Sequence, residues 1–266
     1  MSTSGGVTEA DFRALARSSP WLWDTISFTA SWTGPHAGGP VRAWIERPNR
    51  MRVEDLAGKV LKETDADPRP ATTMFTSDSS GWSPVPAPGL APHSAPVASP
   101  PPPTEPRRRS DGLVAERLGY LFDHDAPMYQ NYHWVAMLDP RELTDGADLD
   151  AVELDERDPD GTSMETVRTV DHHGRSAWEA VLRPTRFYDP RCSCCALLNC
   201  AEAAEEYLRP DEPRQVGGYA TWFLVRLDVG TGICVSTQEL DGPHAGAGHE
   251  VRIETVDAPV RARPGR

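Results

Sequence analysis

The stretch Trp21-Leu22-Trp23-Asp24-Thr25-Ile26-Ser27-Phe28-Thr29-Ala30-Ser31-Trp32-Thr33 decides the fold. Ile26, Phe28, Ala30 and Trp32 alternate with Thr25, Ser27, Thr29 and Ser31. Successive side chains of a strand point to opposite faces, so this period of two describes a strand with one apolar and one polar face. A turn at Pro35 to Pro40 follows, then strand-like runs at Val41 to Glu46, Arg50 to Asp55, Lys59 to Glu63 and Thr72 to Thr76. Short strands joined by tight turns predict an antiparallel meander. The strand pattern returns at Met164 to Val170 and Arg175 to Leu182, around Asp171-His172-His173-Gly174. Tyr219 to Asp228 and Ile233 to Leu240 form a second hairpin around Gly230-Thr231-Gly232, and His249 to Val256 ends the sheet.

Helices are few. Thr8, with Asp11 three residues on, marks a helix start that places Phe12, Leu15 and Ala16 on one face and stops by Pro20. Leu113 to Phe122 and Glu202 to Leu208 read as helical, and Tyr129 to Leu138 fits helix or strand until Pro140 ends it. The fold class is therefore α+β.

Composition bounds the rest. The chain has 266 residues, enough for one sizeable core, and 10 of its 26 prolines fall between Pro84 and Pro106. A segment so rich in proline, alanine and serine cannot bury enough apolar surface to offset its ordering entropy, so a disordered loop is expected at about 77–110. Residues 1–266 then form a single domain interrupted by that loop. The net charge of -13 repels a phosphate backbone, and the short run Arg107 to Arg109 does not reverse that, so nucleic acid is not an expected partner. No apolar run is long enough to span a bilayer. Met1 to Thr8 shows neither a basic nor an apolar signal region, so a cytoplasmic location is expected, with the five cysteines as thiols or metal ligands.

Three segments, in this order, carry a family resemblance. They are Ile26 to Val53, with the run VRAWIERPNRMRVE; HHGRSAWEAVLRP at His172 to Pro184; and FLVRLDVGTGICVSTQELDG at Phe223 to Gly242. Together they resemble the LolA/LolB/RseB-like superfamily of lipoprotein carriers and sigma-factor regulators, over less than half of the chain. The resemblance implies a single curved antiparallel sheet, a half-barrel, with a few helices on its concave face. It implies non-catalytic binding of an apolar, lipid- or acyl-like ligand or of a partner peptide, and brings no catalytic residues. Ile26, Phe28 and Trp32 would border the cavity. The chain differs from that family in its proline-rich insertion and its cysteine cluster.

That cluster is Cys192-Ser193-Cys194-Cys195 with Cys200. Thiolates are soft ligands, so Cys192, Cys194, Cys195 and Cys200 are candidate metal ligands, with zinc the ion considered; three of the thiols with His172 or His173 would also complete a tetrahedral set. A redox role and plain structural thiols remain open beside it. Cys234 falls in a strand and reads as core. His172-His173 reads as a solvated turn, Asp123-His124-Asp125 as a helix end, and the acidic run Asp155 to Asp160 as a solvated loop. Pro103 to Arg108 fits a Pro-x-x-Pro-x-Arg ligand or a plain spacer.

Overall fold

The computed structural model describes residues 6–35, 37–65, 73–78, 81–86, 105–117, 126–147, 159–207 and 217–258. Its main body is an open nine-stranded antiparallel sheet, built from two meanders. The first comprises β1 (Thr25–Thr33), β2 (Val41–Glu46), β3 (Arg50–Asp55) and β4 (Val60–Asp65). Chain order continues with β5 (Thr73–Asp78), β6 (Gly81–Pro86), β7 (Arg107–Arg108) and β8 (Val114–Glu116), which lie in two separate two-stranded sheets. The second meander comprises β9 (Thr162–His172), β10 (Arg175–Pro184), β11 (Phe223–Asp228), β12 (Cys234–Glu239) and β13 (Gly248–Val256). The pairing of β1 with β13 joins the two halves, with Phe28 opposite Ile253 and Trp32 opposite His249.

The period-two reading of β1 holds: Ile26, Phe28 and Ala30 are buried, and Trp32 packs against the same core from a half-buried position. The strand begins at Thr25 rather than Trp21, because Ser19–Trp21 closes a 3-10 turn after the first helix. The hairpin between β9 and β10 turns on His173 and Gly174, at φ 53° and 81°. Two successive left-handed residues match the twist of the flanking strands, and glycine meets that demand without strain. In the hairpin between β11 and β12, a Cβ on Gly232 would stand 2.7 Å from the Leu15 carbonyl oxygen. Only a glycine lets this hairpin press against the first helix.

That helix, α1 (Glu9–Ser18), begins with the expected capping box between Thr8 and Asp11. Phe12, Leu15 and Ala16 enter the core. Arg13, also buried, donates to the Thr144 and Thr162 carbonyls at 3.1 and 2.6 Å and ties α1 to β9. The ambiguous segment before Pro140 is helical, as α2 (Tyr132–Leu138), capped by the Asn131 side chain. Trp134 of α2 lies over Phe28, ring centroids 5.3 Å apart. A short α3 (Ala201–Tyr207) follows the cysteines. No helix among the described residues is long and apolar enough to cross a membrane.

Two expectations need correction. Leu113 does not open a helix: Gly112 turns at φ 88°, and Val114 starts a strand that pairs with Arg107–Arg108. The buried Val114 anchors this piece, its N–H donating to Ser18 Oγ at 2.8 Å. A local apolar spacing had stood in for a contact made with α1. The fifth strand, β5, does not extend the main sheet but pairs with β6. Of the segment expected as a loop, Gly81–Pro86 pairs in a hairpin and Arg107–Arg108 in a strand, while 79–80 and 87–104 lie outside the described residues. Asp123 to Asp125 and most of the acidic run before Asp160 also lie outside them.

Candidate functional site

The sheet sets three residues in a row on its covered face. His249 of β13 stands opposite Trp32 of β1 on one side and opposite Thr237 of β12 on the other. α2 places His133 and Trp134 above this row. His133 Nε2 lies 3.1 Å from His249 Nδ1, and the Trp134 ring centroid lies 6.4 Å from that of Trp32. Between these elements and the segment 193–204 opens a cavity of about 360 Å³. Its lining includes Trp32, Trp134, Phe223, His133, Glu239 and Cys195.

The expected site residues divide here. Trp32 borders the cavity, as do Cys194, Cys195 and Cys200. Ile26 and Phe28 do not: they are 3% and 0% exposed and belong to the closed core, Phe28 beneath Trp134 of α2. The apolar face of β1 is therefore covered along most of its length and opens only at its Trp32 end.

Two buried polar atoms at this cavity have no hydrogen-bond partner among the described residues, Trp134 Nε1 and Glu239 Oε2. Glu239 Oε1 accepts from Asn199 at 3.1 Å. Burial pushes the Glu239 carboxyl above the usual range. A buried donor or acceptor left without a partner is costly, and such atoms beside a cavity mark where a bound molecule would bond. Periodicity could not have found Glu239, because its strand alternation gives no sign of what lies across from it.

The cysteine segment is held by two buried carboxylates that follow α2. Glu142 Oε1 accepts from the Leu197 N–H at 2.7 Å and from the Tyr188 hydroxyl at 2.7 Å, and its Oε2 accepts from the Arg191 N–H at 3.2 Å. Residues on both sides of the thiols are thus fixed to one side chain. Asp139, fully buried, pairs with Arg191 and Arg117. Desolvation acts to raise the Asp139 pKa, and the two guanidinium charges overcome it and hold the group far below the usual carboxylate range.

Within this frame Cys192, Cys194 and Cys195 bring their sulfurs within 4.8 Å of one another. Cys200 is not part of that group; its sulfur is buried and accepts from the Ala203 N–H at 3.5 Å. Desolvation works against ionising Cys192, but bonds from the Cys194 and Cys195 thiols and backbone N–H groups outweigh it and lower its pKa. Burial, then the neighbouring Cys192, push Cys195 up to about 12. Cys234 is core, as expected.

The second histidine pair lies away from this cavity. His172 is buried, not solvated, and bonds the Val251 carbonyl at 2.9 Å, while the exposed His173 contacts Glu250 at 2.9 Å. The two histidines gather with Glu250 rather than with the thiols. No family model matches this chain, and no curated protein matches it.

Proposed function

We propose that this protein binds, without catalysis, a small ligand that is part apolar and part hydrogen-bonding. The carrying observation is the cavity at the end of β1, where aromatic walls of Trp32, Trp134 and Phe223 meet Trp134 Nε1 and Glu239 Oε2, which have no partner among the described residues. A volume of about 360 Å³ falls at the small end of the range for ligand pockets. Trp and Phe faces would cover the apolar part, and Glu239 would accept from a hydroxyl, amide or amine of the ligand. The half-barrel resemblance supports a binding role of this kind, including the expected curvature of the sheet. With Ile26 and Phe28 buried in the core, an acyl chain would enter only at the Trp32 end.

The test is fluorescence titration with N-phenyl-1-naphthylamine, a neutral apolar probe carrying one N–H donor. Saturable binding with quenching of tryptophan emission is expected. Trp32→Ala and Glu239→Gln should each weaken it by about tenfold, the order set by losing one apolar or hydrogen-bonded contact. Binding that does not saturate, or that both variants leave unchanged, would remove this reading.

A further inference from the structure

The thiols of 192–195, two of which line the cavity, form a site of their own. Cys192 and Cys194 sulfurs stand 3.1 Å apart, and Cys195 completes a triangle no wider than 4.8 Å. Sulfurs bound to one ion at about 2.3 Å lie roughly 3.8 Å from each other in tetrahedral geometry and roughly 4.0 Å in trigonal geometry. Gathering an ion therefore needs the sulfur separations to change by only about 1 Å. None of the three is fully buried, so an ion would reach them from solvent.

The segment is also held in place before any ion arrives. Glu142 bonds the Arg191 and Leu197 N–H groups on either side, the Cys195 N–H bonds the Cys192 carbonyl at 3.1 Å, and Asp139 fixes the Arg191 side chain. Three soft donors from one short, clamped segment fit a thiophilic ion far better than a hard oxygen-seeking one. Among the described residues no fourth histidine, cysteine or carboxylate joins the group. That argues against an iron–sulfur cluster, which ordinarily takes four protein ligands.

We infer that Cys192, Cys194 and Cys195 together bind one thiophilic d10 metal ion, copper(I) or zinc(II), as three thiolates. Each thiol gives up its proton to solvent as its sulfur binds. Copper(I) would be satisfied by the three sulfurs alone, whereas zinc would add a water or a ligand atom as its fourth partner. Cys200 is not a ligand. The inference is independent of the organic ligand proposed for the cavity.

The experiment uses the reduced full chain under anaerobic conditions, titrated with copper(I) or zinc(II) against a chromophoric chelator of known affinity. One ion per chain is expected, and the copper arm should add a thiolate charge-transfer band in the near ultraviolet. Cys192→Ser, Cys194→Ser and Cys195→Ser should each weaken binding by about tenfold or more, while Cys200→Ala, checked for folding by circular dichroism, should leave it unchanged. Tighter binding in one arm identifies the ion. The site is overturned if neither ion binds, if a variant with all three serines binds as well as the parent chain, or if the reduced chain binds nothing yet forms a Cys192–Cys194 disulfide on mild oxidation.

Discussion

His133 Nε2 and His249 Nδ1 face each other across 3.1 Å, and with both rings neutral each of these nitrogens presents a lone pair. The outer nitrogens fix this. His133 Nδ1 lies 3.0 Å from the Ala196 carbonyl oxygen and His249 Nε2 lies 2.9 Å from that of Cys234, and a carbonyl only accepts. Each outer nitrogen must therefore carry the proton of its neutral ring. The Thr237 hydroxyl, 3.0 Å from His249 Nδ1, supplies that atom with a donor. Burial, then the neighbouring His133, lower the His249 pKa to about 3, and burial lowers His133 as well.

Acid should destabilise the fold through this pair. An unfolded histidine takes up a proton near pH 6.5, and the folded pair resists, so the unfolded state binds more protons between about pH 3 and 6.5. The stabilisation is whole above that window and is lost as pH falls through it. Thermal melts from about pH 7 to pH 4 should show a falling midpoint, and His249→Gln should flatten the fall. A midpoint that rises on mild acidification would mean that the folded pair captures a shared proton between its facing nitrogens.

Glu142→Gln tests how the thiols are positioned. The amide nitrogen would confront an N–H at Arg191 or Leu197 where the carboxylate accepts from both. The fold should persist by circular dichroism, while metal affinity falls by about ten- to a hundredfold, as for other residues that orient ligands without touching the ion. An unchanged affinity would show that the segment holds its shape without Glu142.

Asp139→Asn should be more damaging than any change at an exposed ion pair. Its partners Arg117 and Arg191 have side chains only 5% and 1% exposed, so both charges would stay buried while losing the carboxylate they share. Breaking such a pair costs about 3–5 kcal/mol. Urea unfolding should read this loss directly, and a loss below about 1 kcal/mol, the level of a surface pair, would show that the charges reach water.

Phe28 and Trp32 share a strand face but should separate in experiment. Phe28→Ala removes a wholly buried ring packed on Trp134 and should cost about 3–5 kcal/mol of stability. Trp32→Ala removes a half-buried ring at the cavity, so its stability loss should be smaller and its effect on probe binding larger. Equal stability losses with equal binding would place Trp32 in the core instead.

Much of this architecture was present in the order of residues. Alternation along Thr25 to Thr33, the left-handed turn at His173-Gly174 and the Thr8–Asp11 cap are local signals, each read within a few residues. They were enough for an antiparallel sheet with few helices. The thiols were visible too, because their spacing is written in sequence. Tertiary structure decided the rest. Whether an apolar face meets a helix or a cavity depends on what lies across from it, and α2 seals Phe28 while leaving Trp32 at the opening. The same holds for Cys200, which sequence proximity grouped with the other thiols and packing turned into the core. His133 and His249 are 116 residues apart, as are no two groups that periodicity can relate, and only the packing of α2 on β13 brings them face to face. Strand alternation tells which side a residue faces; the cavity, the clamped thiols and the opposed histidines arise from contacts between distant segments, which alternation does not encode.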